Sequence, residues 1–449
     1  MQIDFRGVQA TVAHLYRSPF SRHLILRFGD GEAARAFLGE LTPLITMADF
    51  DAAATPDPLL NVGITFNGLV VLGVPRQLLS ELDTIYERGP EAHLLGDAAG
   101  SRSDPANWWE GRFKTEDIHC IVHLYVRAQD ALEPATAQVR ELAGRFGLAE
   151  LIPRRDGTVL DGRSLGHGKL HFGYTDGISH PEIAWDDVPD TPTQVNFRHF
   201  LLGYSSAEHP SAPARGPAAD LVRDSCYGVF RWIHQDTATF NRFLRTEGPR
   251  LFADLPPADA EELLAAKLMG RWRDGTPLVL SPGRPDPALA RRNDFGYAHE
   301  DPDGRRCPFS AHIRVVNPRD QPLDPIAERA PHVIRRGMPY GPVLEGTEDD
   351  GQDRGIIGIF LCADIRRQIY TLTGWMRRND FSPVYNANRR VQDAVVGNRS
   401  VRGTSTDFIV PGEDGGATVT GLPDFVHTKG TAFVLYPSKA TLRQLTTRA

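Results

Sequence analysis

Of the fifteen histidines in this 449-residue chain, His312 stands in the most constraining company: Cys307-Pro308-Phe309-Ser310-Ala311-His312-Ile313-Arg314-Val315-Val316-Asn317-Pro318-Arg319. Small and apolar residues surround the imidazole, and arginines follow at +2 and +7. A neutral imidazole binds iron well, and nearby cations suit a prosthetic group that carries carboxylates. A core histidine bonded to backbone is the plainer alternative. Cys307 and His312 do not make a zinc half-site, since their spacing fits none and no second pair complements them.

Two other segments carry groups that can move protons or hold charge. In Phe172-Gly173-Tyr174-Thr175-Asp176-Gly177-Ile178-Ser179 the carboxylate is bracketed by glycines, so its backbone can turn tightly and approach a flat ligand; a turn with a capping aspartate reads the same way. In Val333-Ile334-Arg335-Arg336-Gly337-Met338-Pro339-Tyr340-Gly341 an arginine at the edge of an apolar run can project into a polar cavity or pair at the surface.

Positioning such groups needs strands and helices, and the first half alternates them. His23–Phe28 is rich in strand formers, and Asp30 is a candidate N-cap for a helix with Ala34, Phe37, Leu38 and Leu41 on one face. Leu60–Leu72 passes from strand to helix, Ile118–Val126 reads as a strand and Ala131–Phe146 as an amphipathic helix. The second half repeats the rhythm: strand Tyr227–Ile233, helix Gln235–Leu244, strand Gly355–Cys362, helix Asp364–Arg377, strand Phe433–Tyr436. Residues 249–280 read as an extra helical piece, and 189–194, 205–219 and 282–304 as loops rich in Pro, Gly and Asp. The pattern predicts an α+β protein of two similar sandwiches, each with helices on an antiparallel sheet.

An apolar fraction of 41% and a charged fraction of 24% are those of a soluble globular protein, and a formal charge of -7 argues against nucleic-acid or anionic-membrane binding. The first residues lack a signal-peptide pattern, no apolar run is long enough to span a bilayer, and four scattered cysteines suit a reducing compartment. The expectation is a cytoplasmic protein.

Read in order, GYTDGIS, AHIRVVNPR and IRRGMPYG resemble the GxxDG, proximal-histidine and distal-arginine motifs of the dye-decolorizing peroxidases. The likeness runs over nearly the whole chain, through FRGVQ, LILRFGDGEAARAFL, LNVGITFNGLVVLG, HLLGDAAGSRSDPANW, FLLGY, YGVFRWIHQD, AAKLMGRWRDGTPL and FVLYPS. Length and helical insertion are similar to the larger bacterial and fungal members.

The resemblance implies two ferredoxin-like halves, residues 1–190 with the GxxDG motif and residues 191–449 with the helical insertion, the iron ligand and the distal arginine. It implies one haem b per chain, held mainly by the second half, with His312 as proximal ligand and Asp393 as the acid behind it. Asp176 is implied as acid/base, and Arg335, favoured over Arg336, as charge stabiliser in O–O cleavage. Gly177 and Ile178 are implied beside the haem, Arg314 and His171 as propionate partners, and Ile359 and Leu361 as distal-side contacts. One departure stands out: an aromatic residue is common in the family where this chain has Gly358 or Leu361. Trp232, Trp272 and Trp375 are candidates for surface electron transfer, with burial in the core the plainer reading. The implied partners are hydrogen peroxide and an aromatic or dye-like donor; the oligomeric state is left open. The competing expectation is a haem-binding, iron-handling protein on the same fold, which would need His312 but neither Asp176 nor Arg335.

Overall fold

The structure is a computed structural model that describes residues 3–51, 54–191, 194–323, 330–378, 391–412 and 416–447. Strand β1 (Phe20–Arg27) carries apolar and β-branched side chains that are nearly all buried. The helix after it, Gly31–Leu41, starts where the Asp30 carboxylate accepts the Ala33 N–H, and it buries Ala34, Phe37, Leu38 and Leu41. Strands β2 (Leu59–Ile64) and β3 (Cys120–Val126), the helix Leu132–Arg145 and strand β4 (Ala149–Glu150) complete the first half. Strand β5 (Leu160–Arg163) adds to the outer edge of β1. Strands β6 (Glu182–Ala184) and β7 (Gln194–Asn196) form a small parallel pair.

The second half opens with β8 (Cys226–Gln235) and the helix Thr237–Leu251, then brings β9 (Ile334–Tyr340), β10 (Gly355–Cys362) and a helical stretch from Ile365 to Arg377 whose first turn is wider than an α-helix. Strands β11 (Phe408–Val410) and β12 (Ala417–Val419) make a ribbon, and β13 (Val426–Tyr436) closes the half.

The main sheet runs β4-β1-β3-β2-β13-β8-β10-β9. Within each half the four strands therefore lie in the same order, fourth-first-third-second, which is the ferredoxin-like arrangement that the family resemblance implies. The halves meet where Leu435 of β13 pairs Ile64 of β2, and one apolar core runs beneath both.

The expected elements are present with shifted ends. The helix predicted to stop at Leu244 continues to Leu251, and the strand predicted over Phe433–Tyr436 begins at Val426, paired with β8 through a register shift between Thr428 and Gly430. The extra helical piece condenses to Pro257–Met269, ended by Gly270 in a left-handed C-cap. No helix among the described residues is long and apolar enough to cross a membrane.

Two smaller cores decide where the chemistry-bearing residues sit. One packs Phe172, Tyr174, Phe240, Leu264, Ala394 and Val395 together, so the segments carrying Asp176 and Asp393 are anchored to the same helix pair. The other packs Phe309 and Val315 on Leu372 and Trp375, which anchors the segment carrying His312. Each fully buried aromatic or aliphatic side chain contributes about 1.5–3 kcal/mol of burial, enough for a few such contacts to hold an irregular loop.

Candidate active site

His312 is the first residue of a short helix, His312–Val316, that follows an irregular stretch. Its Nδ1 lies 2.8 Å from Asp393 Oδ2. Asp393 is fully enclosed; its Oδ1 accepts the N–H groups of Val395 and Val396, each at 2.9 Å. The Asp393 backbone is fixed in turn, its N–H on Met376 O and its carbonyl accepting from Arg399, a buried arginine pushed down to about 10 by desolvation. A carboxylate can only accept, so His312 carries its proton on Nδ1 and leaves the Nε2 lone pair for something else. No described residue hydrogen-bonds that Nε2, and the imidazole lines a cleft whose empty volume, counted to its open mouth, is about 1070 Å³.

Asp176 and Arg335 line the same cleft. Arg335 comes from the edge strand β9, and its Nη2 donates to Asp176 Oδ1 at 3.4 Å, with the two side chains 32% and 38% exposed. Gly173 and Gly177 flank the aspartate at φ +87° and +80°, a region side chains rarely enter. The loop is clamped from behind: Lys169 donates to the Gly173 and Arg273 carbonyls, Thr175 donates to Arg273 O through both its N–H and its hydroxyl, and Arg273 pairs with Glu262. Ile178 lines the cleft, and Gly177 precedes it in the turn.

Arg336 is directed the other way. Its guanidinium is buried against Thr11 O, Val12 O and Arg335 O, and desolvation lowers it to about 10. Adjacent strand residues point to opposite faces, so only one of the two arginines can reach the cleft, and it is Arg335.

Four expected cofactor contacts are placed elsewhere, and each expectation is corrected. Arg314 is fully buried, with Asp301 Oδ2, Asp301 O, Cys307 O and Gln321 Oε1 taking its donors, between the rings of Tyr297 and Phe309 at 4.4 Å. It supports the His312 segment from below. His171 donates from Nε2 to Tyr340 O at 2.8 Å and is not part of the cleft wall. Ile359 and Leu361 fall on the wrong face of β10. Arg335 is opposite Phe360 in the ladder, so Ile356, Gly358 and Phe360 share the arginine's face while Ile359 and Leu361 lie in the main core. A Cβ at Gly358 would lie 2.9 Å from Phe360 Cε2, so the Phe360 ring lies back over the glycine and fills the space a side chain at 358 would take. Trp232, Trp272 and Trp375 are all buried, 8% exposed at most.

Besides Arg335, the arginines that line the cleft are Arg319, the arginine at +7, and Arg271. Both bond to the Asn293 side chain, and both stack on the Phe295 ring, at 3.7 and 5.4 Å. Among the described residues neither pairs with a carboxylate, and each leaves a buried Nε without a partner. Burial, then the neighbouring Arg319 charge, lowers Arg271 to about 10. Two crowded, desolvated guanidinium groups without an acid call for an anionic ligand. The donor set thus fits an iron-carrying group with carboxylate arms: an imidazole with a fixed tautomer on one wall and two unneutralised arginines on another.

His180, which no local motif marks, sits under Gly177 with its Nδ1 buried and unpartnered. Burial and the charges of Arg335 and Arg336 pull it down to about 4.

No family model matches the chain. Among curated proteins it is similar to a dye-decolorizing peroxidase of Mycena epipterygia, 33% identical over 77% of this chain and 66% of that one. It is also similar to a multifunctional dye peroxidase of an Amycolatopsis strain, 30% identical over 94% of this chain and 91% of that one. Among solved structures, an ancestral D-type dye-decolorizing peroxidase superposes with a TM-score of 0.84 at 25% identity, over the full length of both chains.

Proposed function

The chain belongs to the dye-decolorizing peroxidase family, hydrogen-peroxide-dependent oxidoreductases, and from that premise we propose that it is a haem b peroxidase with His312 as iron ligand and Asp176 and Arg335 as its peroxide-handling pair. The observation that carries this reading is the His312–Asp393 bond: it fixes the tautomer that turns Nε2 to the cleft which Asp176 and Arg335 also line. Bound haem supplies the redox centre that accepts oxidising equivalents from peroxide and passes them to an organic donor.

His312 holds the iron through Nε2, and Asp393 strengthens it as a ligand by drawing on the Nδ1 proton. Arg319 and Arg271 hold the propionates, which replaces the role expected of Arg314 and His171. In the same cleft the Asp176 carboxylate takes a proton from one oxygen of hydrogen peroxide and gives it to the other, which departs as water; the two electrons this cleavage requires would come from the bound haem. An ionised carboxylate is needed for the first half of that exchange and its conjugate acid for the second. Arg335 stays protonated throughout and offsets the negative charge that builds on the oxygen being cleaved. The side chains are close enough to share one small molecule, and their exposure leaves a path for peroxide and water. The reductant is an aromatic, dye-like donor, in keeping with the names of the relatives. The division into halves at 1–190 and 191–449 belongs to this reading: the first contributes Asp176, the second His312, Asp393 and Arg335.

An absorption spectrum of the purified protein, before and after one equivalent of peroxide, tests the proposal. A Soret band that shifts on peroxide addition and returns on adding a phenol is expected. No Soret band after reconstitution with haem would overturn it, and a band indifferent to peroxide would reduce the protein to a haem carrier.

A further inference from the structure

Outside the cleft, three loop side chains converge on one point. His199 Nε2 and His209 Nε2 approach the same oxygen, Asp190 Oδ2, at 2.8 and 3.4 Å. One potential ligand atom from each residue lies within 4.8 Å of the others. The two rings stand edge to face, with centroids 4.6 Å apart and planes at 84°, so their Nε2 corners meet at the carboxylate from two directions. Asp190 is held in place by its other oxygen, which accepts the Asn196 N–H at 2.6 Å. His209 is pinned by Ser206, which exchanges two bonds with its backbone and hydroxyl at 3.1 Å. His199 ends a turn capped by the Asn196 side chain.

A carboxylate oxygen can take two donors, and here both of those facing Asp190 Oδ2 are imidazole nitrogens. Two imidazoles on the same oxygen, supplied by separate loop segments that are each independently braced, make a set of two nitrogens and one oxygen around a common centre. That donor set suits borderline-soft divalent ions, for which imidazole is a preferred ligand, and it is poor for calcium or magnesium, which want six or more oxygens. The side chains of Asp190, His199 and His209 are 17%, 22% and 8% exposed, so one side of the cluster opens to solvent and can supply water as a further ligand.

We propose that Asp190, His199 and His209 form a binding site for an imidazole-favouring divalent transition-metal ion, for which zinc serves as the probe. Ligation takes the lone pair of each Nε2, with the ring proton carried on Nδ1. The site has a clear mechanical consequence. The His199 carbonyl accepts from Ala363 N at the end of β10 and from Gln368 Nε2, both at 2.9 Å, and the same Gln368 amide donates to His332 O. His332 lines the cleft, and its ring lies 5.6 Å from that of His199. An ion at this point ties Asp190, His199 and His209 to one wall of the cleft and stabilises the folded state without touching His312, Asp176 or Arg335.

The test uses untagged, full-length, haem-loaded protein. It is stripped with a chelator, incubated with zinc sulfate, desalted, and its zinc counted by plasma emission; the thermal midpoint is recorded with and without zinc. About one zinc per chain and a raised midpoint are expected. Asp190→Asn keeps the shape and the Asn196 bond, and His209→Gln keeps a hydrogen-bonding side chain. Each should weaken zinc binding by more than the roughly 10–100-fold that loss of an outer hydrogen-bond partner costs, with the zinc-dependent rise in midpoint gone. The proposal is overturned if the wild-type chain retains no zinc, or if both variants retain as much as the wild type. His312→Ala, which fails to hold haem if the functional reading is right, should keep its zinc; zinc lost in that variant alone would place the metal at the haem ligand and end the proposal.

Discussion

Across one cleft, His312 meets Asp393 at 2.8 Å with the carboxylate sealed from solvent, while Arg335 meets Asp176 at 3.4 Å with both side chains about a third exposed. The first pair joins the start of a one-turn helix to irregular chain, both made rigid by other residues: Asp393 takes two backbone N–H bonds, Arg399 holds its carbonyl, and Arg314 braces the His312 segment. The second pair comes from regular or tightly turned backbone, an edge strand and a glycine-flanked turn, yet its side chains reach solvent. A metal ligand needs one tautomer and one orientation, which burial and hydrogen bonds supply. A proton-transferring pair must meet water and a small substrate, so solvent access is part of its design.

The contrast makes the fixed side the one where a single deletion does the most damage. His312→Ala should abolish stable haem retention, read as Soret absorbance per protein after desalting. Full haem occupancy in that variant would move the ligand elsewhere and dissolve the comparison. On the open side the loss should be kinetic. Arg335→Leu should retain haem and slow the reaction with peroxide by about 10²–10³-fold, the size of effect seen when one preorganised charge stabiliser is removed. Stopped-flow mixing with peroxide measures it, and a variant that reacts at the wild-type rate would leave Asp176 alone in charge of cleavage.

Asp393→Asn sharpens the comparison from the fixed side. With its oxygen kept on the Val395 and Val396 N–H groups, the amide turns its NH2 toward His312 Nδ1, which can no longer donate there; the fixed tautomer is lost, and haem-iron affinity or turnover should fall by about 10–100-fold. The chain should still fold, because the amide oxygen can keep the Val395 and Val396 bonds. A change below twofold would mean the carboxylate only fills space.

How much of this was legible in the chain depends on whether the signal was local. The helix after β1 was readable because a cap, Asp30, and a period, Ala34 to Leu41, agreed. Strand β9 was hidden by two adjacent arginines and by Pro339, which an edge strand tolerates because its outward N–H has no partner to lose. The pairing of Asp393 with His312 followed from family resemblance, and no spacing rule links residues 81 apart. The arginines after His312 show the limit well. Position +2 turns inward to Asp301 and +7 lines the cleft, a choice made by the turn at Asn317–Arg319 and by ring stacking on Phe295. Register, too, is a tertiary fact: it put Phe360 and not Ile359 on the face of Arg335, and with it the ring that covers Gly358.

His180 marks where the open side stops being open, and its titration offers the smallest and most diagnostic test. Asp176 and Arg335 are in reach of water, yet this histidine, facing Arg335, Arg336 and Asp176, is desolvated enough to be pulled from the ordinary 6.5 to about 4. Between those two pH values the unfolded chain binds a proton at this position that the folded chain refuses, so stability contributed here declines as pH falls from 6.5 and levels off below about 4. His180→Gln removes that proton from both states. Plotted against pH, the urea midpoints of wild type and variant should run parallel above 6.5, then diverge in the variant's favour down to about 4, whatever constant offset the lost packing introduces. Other buried histidines, His23 and His427, shift in the same direction, so both proteins should weaken in acid and only the difference between them isolates His180. Curves that stay parallel through the whole range would mean the imidazole is as wet as the carboxylate beside it, and the boundary between the fixed and the open parts of the cleft would have to be drawn deeper, behind β9.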